Sequence, residues 1–92
     1  MLVRLIELKQ SYLNQVPILQ EVYLNPRHII SVVSDINTNR KIINENIDVG
    51  VPPGTVFSAI TLQEGNSPRL ITVVGSPTEV YQQIKQKQIL KG

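Results

Sequence analysis

Apolar residues are grouped along this chain in short runs separated by polar or proline- and glycine-containing punctuation, a spacing that suits strands better than long helices. The clearest organisation is in the last third. Thr55-Val56-Phe57-Ser58-Ala59-Ile60-Thr61-Leu62 and Arg69-Leu70-Ile71-Thr72-Val73-Val74 read as two strands joined through Glu64-Gly65-Asn66-Ser67-Pro68. The second runs into Ser76-Pro77-Thr78-Glu79, which predicts a helix over 76–90. Ser76 can cap the first turn with its hydroxyl, and Glu79 can reach back to the cap's own N–H. Pro77 stands at the first helical position, where its missing N–H costs nothing. Val80, Tyr81 and Ile84 form one apolar stripe that fades at Gln86-Lys87-Gln88, so the helix should dock by its first two turns.

Earlier in the chain, Leu2 to Leu8 alternates loosely and reads as a first strand. A helix is the alternative, with Leu2, Leu5, Ile6, Tyr12, Leu13 and Val16 on one face, but it leaves Val3 and Leu8 off the stripe. Lys9 to Gln15 is a polar connection from which Tyr12 and Leu13 can fold back onto the sheet. Val16 to Leu24 reads as a second strand with Pro17 at its start, where no ladder N–H is needed. Asn25-Pro26-Arg27 is a turn. The third strand, His28 to Ile36, is apolar on both faces at its centre, which predicts a central position in the sheet or a face turned to a partner. The stretch 37–54 is polar at its start and stopped by Val51-Pro52-Pro53-Gly54. Its Ile42, Ile43, Ile47, Val49 and Val51 are too apolar for a solvated linker, so it reads as a long loop or flap that packs on something, as a subunit contact or a ligand-binding loop.

The elements together predict one α+β domain over 1–92: an antiparallel sheet of about five strands with one C-terminal helix on a face. A small closed β-barrel with a helical lid is the alternative. The 92 residues limit the core, and aromatic residues at 4% of the chain make that core aliphatic. One short helix leaves apolar surface over, which a homo-oligomer would bury. There is no cysteine, no apolar run that would cross a bilayer and no signal-peptide pattern, so a cytoplasmic protein without disulfides or a membrane role is expected.

The formal charge of +2 hints at a polyanion, but Lys85, Lys87 and Lys91 account for it. The remainder holds six basic and seven acidic residues. A basic helix end is what the helix dipole favours, and a nucleic-acid role for this tail is the lesser expectation. Chemistry is sparse. The one histidine, His28, stands at a strand start, and no serine lies in a nucleophile-elbow pattern. The acids are scattered singly and no glycine-rich phosphate loop is present, so neither a metal nor a cofactor is expected, and a non-enzymatic protein is. Arg27, Arg40, Lys41 and Arg69, with His28 beside them, are the residues that could converge on a small anionic ligand such as a nucleotide if 37–54 folds over the sheet edge. The plainer reading is that each is a solvated surface cation.

The order of motifs resembles the flagellar FlbD/SwrD-type proteins. It is carried by Leu24-Asn25-Pro26 with Ile29, by Ile60-Thr61-Leu62 with Gly65, and by Val73, Ser76, Glu79 and Val80. The resemblance implies the strand-and-helix layout and no functional residue. The layout is also similar to small accessory proteins of bacterial viruses, and the Ile-, Asn- and Lys-rich composition suggests a low-GC genome. The expected function is a small binding or adaptor protein that acts as a symmetric homo-oligomer on a protein partner not named by the sequence.

Overall fold

The computed structural model describes residues 1–10, 17–45 and 47–91, with the side chains from 87 onward outside the description. Five strands, β1 (Val3–Lys9), β2 (Ile18–Leu24), β3 (Ile29–Ser34), β4 (Phe57–Glu64) and β5 (Ser67–Val74), form one antiparallel sheet in the order β2-β1-β5-β4-β3. Helix α1 (Ile36–Glu45) follows β3, and α2 (Pro77–Lys91) follows β5. The α+β architecture with a C-terminal helix packed on the sheet is the one expected. Val16, the expected start of the second strand, and the Tyr12-Leu13 contact lie outside the described residues.

Strand alternation divides the side chains between two faces. Val3, Leu5, Leu24, Ile60, Leu62, Ile71 and Val73 point to one face and are buried there with Val80 and Ile84 of α2. These two helix positions, four apart, are the docking stripe. Tyr81 is not part of it: it is 54% exposed, with the Lys85 ammonium 5.9 Å from its ring centre. The join into α2 is tied at several points. Gly75 donates its N–H to the Val56 carbonyl (2.8 Å), and the buried Ser58 hydroxyl donates to the Gly75 carbonyl (2.8 Å). The expected capping box is formed, with Ser76 N–H on the Glu79 carboxylate (2.9 Å) and Glu79 N–H on the Ser76 hydroxyl (3.2 Å). Hydrogen bonding to the carboxylate, from the Ser76 N–H first and the Ser76 side chain second, holds the Glu79 carboxyl below its ordinary pKa.

Part of the opposite face is covered by the segment read from sequence as a 37–54 loop, while Leu70 on that face stays exposed. Half of the segment is helix: α1 begins one residue before that stretch and ends at Glu45. Asp35 caps α1 by accepting the Thr38 N–H (3.0 Å). Asn39 then clamps the start of β4, accepting the Phe57 N–H (2.8 Å) and donating its amide to the Phe57 carbonyl (3.4 Å). Asn39 is therefore a tertiary link, although its residue type reads as a turn former.

The hairpin is tighter than its punctuation suggests. β4 and β5 pair down to Glu64↔Ser67, leaving a two-residue turn in which Gly65 takes φ 66°, as the first residue of such a turn requires. Pro68 lies inside β5 rather than in the loop. At that level β5 overhangs β1, which it pairs with only at Val73 and Thr72, so a missing N–H can face away from the ladder.

The sheet cannot be flat. The edges β2 and β3 are joined by Asn25 to His28 alone, which fold as a short 3-10 helix (Pro26–His28) with Asn25 as its cap. Five Cα–Cα steps lead from Leu24 to Ile29, a reach of at most about 18 Å. In a flat sheet the two edges are about 19 Å apart sideways. The registers Leu24↔Val3, Leu8↔Thr72 and Arg69↔Leu62↔Ile29 also offset these two residues by eight positions along the strands, roughly 26 Å more. The sheet must curl strongly to bring them together. It still does not close into the alternative barrel: β2 and β3, which run parallel, do not pair, and both edges are open among the described residues.

Candidate functional site

The cations singled out from sequence fall into two places. Arg27 and His28 are exposed in the 3-10 helix that precedes β3. The register row Ile29–Leu62–Arg69 sets Arg69 at the same end of the sheet, where its guanidinium pairs with Glu64 (3.2 Å). Arg40 and Lys41 are carried on α1, on the other face, so the five residues do not form one cluster. In the basic tail Lys85 is exposed beside Tyr81, and the side chains of Lys87 and Lys91 lie outside the described residues.

The α1 segment borders an open pocket of about 600 Å³, lined by Ile42, Val49, Val51, Val56 and Asn39 among others. No lysine or arginine lines it among the described residues, and Asp48 does, so it does not suit an anion. A smaller cavity of about 210 Å³ has Lys41 on its wall with Leu8, Ile42 and Thr72. No group of three or more His, Asp or Glu side chains is placed to hold a metal ion among the described residues, and no described helix is long and apolar enough to cross a membrane.

The carboxylate at the β3–α1 junction is structural. Asp35 accepts the Thr72 hydroxyl (2.7 Å) as well as the Thr38 N–H. Partial burial pushes its carboxyl up, and these hydrogen bonds together outweigh that push, so its pKa lies below the ordinary carboxylate value. Its backbone N–H donates to the Phe57 carbonyl (3.0 Å), continuing the β3–β4 ladder by one residue.

What remains is the sheet's two edges, and they differ. β2 follows Pro17, carries Glu21 at its middle and is tied across to β1 by the Arg4–Glu21 ion pair. Proline and charge are the usual protections of an exposed edge. β3 reads Ile-Ile-Ser-Val-Val-Ser and carries neither. Its apolar residues on both sides predicted a central position or a face turned to a partner; among the described residues it pairs only with β4, so it is not central. Ile29 and Val32 serve the core, while Ile30 is 57% and Val33 53% exposed. A bulge between Ile29 and Ser31 disturbs the start of the strand and leaves Ser31 to Ser34 regular.

No known family, curated protein or solved structure matches this chain. The site is therefore read from its own geometry, and the likeness to the flagellar layout rests on the motif residues alone. The uncovered apolar surface continues from β3 onto the outward side of α1, where Ile36 (55%) and Ile43 (77%) are exposed while Thr38, Asn39 and Ile42 turn partly inward. A sequence signal for α1 did exist: Asp35 is a good cap, and neither glycine nor proline occurs between it and Gly50.

Proposed function

We propose that this chain is a non-enzymatic binding or adaptor protein that acts as a symmetric homo-oligomer. The observation that supports it is the run of exposed aliphatic residues, Ile30, Val33, Ile36 and Ile43, along an unpaired strand edge and the helix beside it. Aliphatic surface placed next to free backbone donors and acceptors is suited to another polypeptide, more than to a small polar substrate. The polar groups that are held in defined geometry, Asp35, Asn39, Ser58 and Thr72, are used within the fold. Light scattering coupled to size-exclusion chromatography, with native mass spectrometry on the same sample, tests the reading. A discrete oligomer of identical subunits is expected at about 100 μM, the upper range of a weak but specific self-association. A monomer at that concentration sinks it.

A further inference from the structure

We infer that the oligomer is built by antiparallel pairing of β3 with β3 of a second copy, about a two-fold axis at Val33. The inference rests on the homo-oligomeric reading above and adds the interface to it.

Which backbone groups are free follows from the ladder. In an antiparallel pair, alternate residues direct both N–H and C=O to the same neighbour. The Asp35 N–H bonds the Phe57 carbonyl, so in the same register Val33 (opposite Ala59) and Ser31 (opposite Thr61) also turn towards β4. Val32 and Ser34 turn the other way, to a side on which β3 has no strand among the described residues. A two-fold axis at Val33 sets Val32 of one copy against Ser34 of the other. Each such pair exchanges both of its N–H···O bonds, twice over by symmetry. The two Val33 side chains become a close, non-hydrogen-bonded cross-strand pair, about 4.5 Å between Cα atoms. Ile30 and Ile36 flank the axis at equal sequence distance, so each falls near the other's symmetry mate.

Charge favours the antiparallel direction. β3 carries no charge between Ile29 and Ser34 and is preceded by Arg27-His28. Antiparallel pairing keeps the Arg27-His28 segments of the two copies at opposite ends of the seam, whereas parallel pairing would set them side by side. The product is one continuous sheet through both subunits, with α1 of each copy beside the seam.

The test compares the wild-type chain with Ser34→Pro, Val33→Lys and Val33→Glu, by sedimentation equilibrium, with circular dichroism to verify folding. Ser34 is exposed and its N–H points away from β4, so proline removes an intersubunit donor and leaves the β3–β4 ladder intact. Losing one such bond from each half of the interface should raise the dissociation constant about thirtyfold. Val33→Lys and Val33→Glu alone each set like charges against each other and should be monomeric. Mixed, they should form a one-to-one heterodimer, a rescue that simple misfolding cannot give. A wild-type monomer overturns this inference together with the proposed function. An oligomer that persists unchanged in Ser34→Pro and in both Val33 variants, or a mixture that does not re-associate, overturns the β3 seam and leaves self-association standing.

Discussion

Replacing Asp35 with alanine probes the junction on which the α1 cover depends. Asp35 stands between β3 and α1, and its two carboxylate oxygens do different work: one caps the helix at Thr38 N–H, the other holds the Thr72 hydroxyl on β5. Alanine keeps the backbone bonds, Asp35 N–H to Phe57 and Asn39 N–H to the Asp35 carbonyl, and removes both side-chain ones. Loss of a cap costs about 1 kcal/mol. Leaving the partly buried Thr72 hydroxyl without its acceptor costs about 1 kcal/mol more. The sum, about 2 kcal/mol, corresponds to a fall in Tm of roughly 10 °C for a chain of this size. Urea denaturation of Asp35→Ala, Thr72→Val and the double variant should give a coupling of about 1 kcal/mol, the share that belongs to the pair. The pH dependence has a definite sign. A carboxyl whose folded pKa lies below its unfolded value contributes stability above the unfolded value, near 3.9, and loses it as pH falls through the folded one. The gap between wild type and Asp35→Ala should therefore hold from pH 7 to about pH 5 and shrink below that. A gap that widens in acid, or a coupling indistinguishable from zero, refutes the assignment.

Two further substitutions test the inner face and the α2 join. Val80 is fully buried, and Val80→Ala should lower unfolding free energy by about 2 kcal/mol, from lost transfer plus cavity; Tyr81→Ala, one residue on but exposed, should stay within about 0.5 kcal/mol in the same urea titration. Gly75 takes φ 115°, and a Cβ there would meet Val80 Cγ2 at 3.4 Å and Glu79 Cβ at 3.7 Å. Gly75→Ala should cost roughly 1–3 kcal/mol by thermal unfolding and more than Gly54→Ala, where a positive φ (86°) is met by open space.

How much of this was legible in the sequence depends on the range of the interaction that decides each feature. The β4–β5 hairpin and the Ser76–Glu79 box are decided within a few residues, and the chain announces both. The extension of the hairpin past Pro68 was hidden because a proline is excluded from a strand only where both sides are paired, and how far β1 reaches is not a local property. α1 was hidden because Asn37, Thr38 and Asn39 have poor helix propensity. Two of those three are consumed by bonds to Asp35 and Phe57, which no local pattern displays. Of the two readings of β3, the central position fails for a related reason. Apolar residues on both sides of a strand report that both sides want cover, not that the same chain supplies it. The cation cluster did not form because Arg40 and Lys41 ride on α1, whereas Arg27, His28 and Arg69 lie at one end of the sheet.

The strand order makes β3 an edge strand, but it does not set the chemistry of that edge. Protection of the edge is then a separate choice, made on β2 through Pro17, Glu21 and the Arg4 pair and not made on β3. Core packing does not account for the difference, since Ile29 and Val32 meet that need from the inner side while Ile30 and Val33 stay more than half exposed. Exposed positions of this kind tolerate polar replacement within about 0.5 kcal/mol, so folding alone leaves isoleucine and valine there without a reason. Leaving an uncharged edge bare also carries an aggregation hazard. A bare edge, uncharged from Ile29 to Ser34 and continued by Ile36 and Ile43 on the neighbouring helix, has a physical rationale once a second strand occupies it.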